Sequence, residues 1–158
     1  MSMKALVNAI KSDLQGSATL SYVADADIFI TPDEDIIPQT AAFPALGIKD
    51  GPIAMELSSS SGSGTSLLWE IRYHVHVIIY VDMAAGEVPV IGQAAPLVKG
   101  ILDINDDVRT VLHEDYQSIA GIKDARCIAE SESEIVGGTD AIVLKKRMTF
   151  EYLALETL

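Results

Sequence analysis

The stretch Leu67–Asp82 alternates strictly: Trp69, Ile71, Tyr73, Val75, Val77, Ile79 and Val81 hold one parity, and Glu70, Arg72, His74, His76 and Tyr80 the other. Successive side chains of a strand point to opposite faces, so the pattern predicts one long half-buried strand with its odd positions on a core. A slip of one residue would turn that whole apolar set to solvent, which pins the register. The rest of the chain must therefore supply a layer to cover this face and further strands to satisfy the backbone.

Both are legible. Asp124–Ser133 reads as a strand with Ala125, Cys127 and Ala129 on one face, Gly137-Gly138-Thr139-Asp140 as a turn, and Ala141–Leu155 as a second long strand. Ile142, Leu144, Met148, Phe150 and Tyr152 form the apolar face of that strand. For cover, Met3, Leu6, Val7, Ile10 and Leu14 recur at three- and four-residue steps, an amphipathic helix that Ser2 caps and Gly16 ends in a left-handed conformation. Ile91, Ala94, Ala95, Leu97, Val98, Ile101 and Leu102 have helical spacing too. Ile104, Val108, Val111 and Leu112 continue it past a break at Asp103–Asp107, giving one long kinked helix or two short ones. Between Thr19 and Leu57, Pro32, Pro38, Pro44 and Pro52 exclude a helix and restrict the apolar runs to edge or short strands. The polar stretch Ser58–Ser66 joins two strands rather than two domains. Strands followed by a helix and a final hairpin, without βαβ alternation, predict an α+β fold. It is an antiparallel sheet with an N-terminal helix and a second helical segment packed on one face, in a single domain over residues 1–158.

At 158 residues such a domain buries enough surface to need neither disulfides nor a structural metal, and the lone Cys127 agrees. Eleven basic against 23 acidic residues leave a net charge of −12. Binding to nucleic acid draws on Lys and Arg displacing condensed counterions, so a grip on DNA or on an anionic membrane is disfavoured. The longest apolar run, Val77–Val81, is far short of the roughly 20 residues that cross a bilayer. The first residues, interrupted by Asn8 and Lys11, do not read as a secretory signal, so a cytoplasm with reduced thiols is the expected place of synthesis.

His74-Val-His76 puts two imidazoles on one strand face, but Glu70 and Arg72 mark that face as a solvated one, and the expectation is no metal. Asp103, Asn105, Asp107 and Glu114 fall at positions 1, 3, 5 and 12 of an EF-hand loop. The glycine required at position 6 is the β-branched Val108, so a helix with Asp103 or Asn105 at its cap is the better reading. Asp33-Glu34-Asp35 sits on a proline-flanked loop and reads as solvated charge. Cys127 lies among small residues on a core face, where a thiol is inert. No nucleophile elbow, phosphate loop or zinc motif occurs, so no catalytic residue and no cofactor are expected, and the chain is not read as an enzyme.

The order of these parts resembles the tail terminator (tail completion or neck) proteins of tailed bacteriophages. The resemblance rests on the short helix Ala5–Leu14, the proline-rich stretch with Phe43-Pro-Ala-Leu-Gly-Ile-Lys-Asp-Gly51, the long strand Trp69–Val81 after a variable loop, a helix, and a closing hairpin. It implies a structural virion protein of the tail and neck, assembled in the host cytoplasm into a homo-oligomeric ring, commonly a hexamer. The ring caps the tail tube, meets the tube protein and head–tail connector proteins, and lets DNA pass without specific binding. The acidic balance suits a conduit. Basic residues concentrate on the outer faces of the two long strands, so Arg72, Lys145 and Arg147 are the expected interface cations and Asp33, Glu34 and Asp35 their acidic counterparts on a neighbour. The alternative is a small-molecule-binding or enzymatic α+β domain with its cleft between sheet and helices.

Overall fold

The computed structural model describes residues 1–58, 67–83, 87–115, 119–137 and 142–157. Helix α1 (Met3–Gly16) leads into two 3-10 turns, the short strand β1 (Ile28–Ile30) and the long strands β2 (Ala45–Leu57) and β3 (Leu68–Asp82). Helices α2 (Val88–Ile91) and α3 (Ile101–Leu112) follow, then β4 (Ile122–Glu130), β5 (Glu134–Gly137) and β6 (Ile142–Thr157). The six strands form one sheet in the order β1-β2-β3-β6-β4, with β5 beside β4 on the flank of β6. The fold is α+β as expected. The sheet, however, is mixed, because β1 pairs with β2 in parallel while the other pairings are antiparallel. Ser58 and Gly137 are described, but the rest of the Ser58–Ser66 stretch and of the turn at Gly137–Asp140 lies outside the described residues.

The alternating strand emerges in its expected register. Ile71, Tyr73, Val75, Val77, Ile79 and Val81 are buried, Trp69 packs against them, and all of them join Leu6, Val7, Ile10 and Leu14 of α1 and Ile101, Ile104, Val108 and Leu112 of α3 in one core. Ser2 caps α1 through its hydroxyl, which accepts from the Ala5 N–H at 3.2 Å. Gly16 does not terminate the helix in a left-handed turn; it remains helical and Ser17, in extended conformation, ends it. The second helical segment also differs from expectation. The helix does not break at Asp103–Asp107. The break lies at Gly92–Gly100, where Gly92 has φ +72° and a Cβ on it would stand 2.5 Å from the Val98 carbonyl oxygen. That turn places Leu97 in solvent despite its helical spacing. Asp103 then accepts from the Gly100 N–H at 3.0 Å and fixes the start of α3, while Val108 is buried within it, which leaves no EF-hand loop.

The other face of the sheet is where periodicity misleads. Tyr80, on the parity assigned to solvent, is fully buried with Ile78, Ala45 and Val143. Residues 31–44 fold back over them as a strap that contributes Ile37, Ala41 and Phe43, beside Phe29 of β1. The Tyr80 ring stacks on Phe29 at 6.0 Å between centroids, and its hydroxyl donates to the Glu34 carbonyl at 2.6 Å. The two apolar runs on either side of Pro52 also merge into one strand. A bulge between Asp50 and Ile53 absorbs Gly51 and Pro52, so the proline costs β2 a rung and not its continuity.

Candidate assembly surface

The charged groups singled out in the sequence occupy two places on the strap-bearing face. At one, Lys145 on β6, only 9% exposed, reaches Asp35 at 2.6 Å, Glu34 at 3.2 Å and Glu134 of β5 at 3.6 Å, while Arg147 reaches Glu34 at 3.2 Å. Asp33 is exposed and turns inward on its own loop, accepting from the Asp35 N–H at 2.9 Å. At the other, Arg72 on β3 bridges Glu70 at 3.3 Å and Glu151 of β6 at 3.0 Å. Opposite charges thus meet inside one chain. Asp33 and Asp35 are exposed as expected, but Glu34 is half-buried, and Glu34 and Asp35 both pair with a nearly buried lysine, because the strap packs down on Tyr80 and carries them onto β6.

This pairing fastens the strap. Burial works against the Lys145 charge, but hydrogen bonds to Asp35 and Glu34 and the field of both carboxylates outweigh it and raise the ammonium above the usual lysine value. A raised lysine stabilises the fold fully below its unfolded value of about 10.4, and the contribution is lost as pH rises through the folded one. The clamp should therefore hold throughout neutral pH and loosen in alkali. Lys145→Met leaves three carboxylates facing an uncharged side chain and should cost about 2 kcal/mol at pH 7, between the values for exposed and buried pairs. Thermal melts should show this as a midpoint lower by about 4–8 °C, with the gap to the parent narrowing above about pH 10.4. An unchanged midpoint at pH 7 would mean that the strap is held by packing alone.

The sheet edges treat their backbones differently. On the β4 side the turn after α3 closes part of the edge: the Glu114 N–H donates to the Ala125 carbonyl at 2.9 Å, and His113 Nδ1 accepts from the Cys127 N–H at 3.1 Å. On the β2 side β1 covers only Leu46–Ile48. The Ser58 N–H points to the Leu68 carbonyl, and antiparallel rungs alternate, so Ile53, Met55 and Leu57 present their N–H and C=O groups away from β3. No described residue pairs with them. Their side chains share the helix-bearing face with Tyr73, Ile71 and Trp69, to which they are paired, yet α1 does not reach them, and they stand 44%, 53% and 52% exposed. Leu67 and Ile30 are exposed nearby. Residues on an unprotected edge usually carry charge or proline against accidental pairing; here Pro52 precedes the segment and Glu56 alone is charged within it.

The sequence offered a signal for this edge, the alternation Ile53-Ala-Met-Glu-Leu57, but an edge is recognisable only once its neighbours are known. Chemistry is poorly served elsewhere. Cys127 is half-buried; burial foremost, and then Glu130, push its thiol up, away from the reactive thiolate. Arg109, which could attract a thiolate, is committed to Glu130 and Asp106. Among the described residues no group of three or more His, Cys, Asp or Glu side chains converges as a metal site. His76 turns Nδ1 to Thr149 Oγ1 at 3.0 Å, and its neighbour His74 is engaged by Glu151 and the Pro52 carbonyl. Among the described residues no helix is long and apolar enough to cross a membrane.

No protein-family model matches the chain, and no curated protein does. Among solved structures, its fold is similar to that of a chain from the "Virion of native gene transfer agent (GTA) particle", with a TM-score of 0.51 at 15% sequence identity over 97% of this chain and 96% of that chain.

Proposed function

We propose that this chain is a structural, non-enzymatic protein of a phage-like virion, which assembles with further copies of itself into a ring, a hexamer, at the junction of tail tube and head. The observation that carries the reading is a fold shared over 97% of this chain with a chain of a virion particle. The open β2 edge supports self-assembly: an apolar strand with unpaired backbone groups on one flank of the sheet suits head-to-tail contact with a different surface of the next copy, and such contacts close rings when the rotation permits. The net charge of −12 suits a passage through which DNA moves without adhering. Arg72, Lys145 and Arg147, with Asp33, Glu34 and Asp35, form the face proposed to meet a neighbouring subunit, the tube protein or a connector protein; there nearly buried Lys145 holds the strap in place and the exposed charges orient the partner, because exposed ion pairs contribute only about 0.2–1 kcal/mol each. Native mass spectrometry and negative-stain imaging of the purified chain, alone and with tube protein, test the proposal. Closed rings of one stoichiometry support it, and a chain that stays monomeric in both conditions overturns it.

A further inference from the structure

A second exposed apolar surface lies far from the open β2 edge. Between α2 and α3 the chain doubles back, and Gln93 and Val98 exchange both backbone hydrogen bonds, at 2.9 and 3.0 Å. The turn holds Leu97 out at 74% exposure, with Ile91, Val98 and Leu102 exposed around it; none of the four belongs to either core. Ile91, Ala94, Leu97 and Val98 border one shallow depression beside Gly92. Single exposed apolar residues are ordinary on a surface, whereas a cluster around a depression marks a contact site. The turn also stands at one end of the strands. Asn105 of α3 reaches Glu130, which is paired with Met148, and beyond the helix Glu114 reaches Ala125, paired with Tyr152. The start of α3 and the turn before it therefore lie toward Val143 of β6. Leu57 of the open edge is level with Trp69 and Glu156, at the opposite end.

The base of the turn is braced. Asp103 accepts from the Gly100 N–H at 3.0 Å, and Lys99 reaches Asp107 at 3.0 Å while lying over the Tyr22 ring at 5.3 Å. The Tyr22 hydroxyl donates to the same Asp107 carboxylate at 2.8 Å. The tip is thus presented on a fixed platform, and a partner docking there would have little chain to order. Its border is acidic: Glu87, one helical turn before Ile91, and Asp106, one turn after Leu102, are exposed, whereas the nearby cations are engaged, Lys99 by Asp107 and Arg109 by Asp106 and Glu130. We propose that the turn between α2 and α3 is a preformed docking surface for a different protein, one that presents an apolar side chain bordered by Lys or Arg. A second copy fits poorly, since at a net charge of −12 it brings like charge to an acidic border. Identifying the partner as the tube protein or the head–tail connector rests on the function proposed above. A ring closed through the β2 flank leaves the strand ends uncovered, so the two contacts do not compete.

Titration calorimetry of the full chain with purified tube protein, and separately with purified connector protein, tests the surface. Leu97→Ser should bind one of the two at least about tenfold more weakly than the parent. It should melt and assemble with itself as the parent does, since the side chain touches neither core nor edge. Glu87→Lys, whose side chain makes no cap bond, should weaken the same complex severalfold at low salt and recover at high salt. Should Leu97→Ser melt below the parent, amide exchange of the parent decides: the added partner should slow exchange over residues 91–102, and unchanged exchange there overturns the proposal. A parent that binds neither protein overturns it, as does a Leu97→Ser or Glu87→Lys variant that binds as tightly as the parent at low salt. Rings lost in Leu97→Ser would assign the patch to contact between copies and overturn it too. A chain that stays monomeric yet binds through Leu97 would refute the ring and leave the docking surface standing; rings whose partner ignores Leu97 would do the reverse.

Discussion

Replacing Tyr80 with alanine should lower the thermal midpoint of this protein by about 10–15 °C, corresponding to a loss of about 3–5 kcal/mol in a chain of this size. Tyr80 is the largest side chain of the smaller core, fully buried, stacked on Phe29 and roofed by the strap. Its removal leaves a cavity against β1 and Gly47. That glycine is itself required by the ring, since a Cβ there would stand 3.1 Å from the Tyr80 ring and 3.3 Å from that of Phe29. The loss should spread to the strap, because the Tyr80 hydroxyl also holds the Glu34 carbonyl. Tyr80→Phe separates the two contributions. It keeps the stack and deletes one hydrogen bond, so it should cost only about 1 kcal/mol. Equal losses in the two variants would mean that the hydroxyl, and not packing, secures the strap.

The same residue marks where sequence reading stops. The period of two in β3 correctly sorts Trp69–Val81 onto the helix-bearing core, since that face is covered along its whole length. It cannot report that the other face changes character halfway, polar at Arg72, His74 and His76 and apolar at Ile78 and Tyr80, because the cover there comes from residues 31–44, far away in the chain. The strap's prolines, which rightly exclude a helix, are also what lets it run without pairing as a strand. Likewise Ile91–Leu102 has the spacing of a helix, but Gly92 and Gly100 meet too closely to be anything other than a turn: a Cβ on Gly100 would lie 2.3 Å from the Gly92 nitrogen. The parallel β1–β2 pair was hidden for a related reason, three residues being too few to show a period.

Of the charges picked out as interface candidates, composition indicated which residues stand out and could not indicate whom they meet. Lys145, Arg147, Glu34 and Asp35 find one another across more than a hundred residues of chain, a pairing fixed by the strap's return over Tyr80. The prolines mark the run Ile53–Leu57 as an edge or short strand, but that it lies open cannot be read from the sequence, because each of its side chains looks like an ordinary core residue until the helices are found not to cover it.

That edge provides the other large effect. Met55→Lys should leave folding almost untouched, within about 0.5 kcal/mol, since the side chain is half exposed and Lys on an edge strand keeps its ammonium in water. Assembly should respond very differently. Met55 lies at the centre of the unpaired segment, on the face where Ile53 and Leu57 flank it, so a strand or apolar surface docked there would have to bury the lysine or leave a gap. At about 2–3 kcal/mol per contact, each subunit interface weakens roughly 30- to 150-fold, and a closed ring, which uses the contact once per subunit, compounds the loss. Sedimentation velocity on parent and variant, with a thermal melt of each as control, separates the outcomes. A variant that melts like the parent but no longer forms rings places the open β2 edge in the subunit contact. Normal assembly would exclude this edge and direct attention to the strap-bearing face, where Arg72 and Arg147 are the next to reverse. Their substitution by glutamate should disturb orientation through long-range charge, and should therefore weaken in high salt, whereas the Met55 effect, being one of desolvation, should persist there.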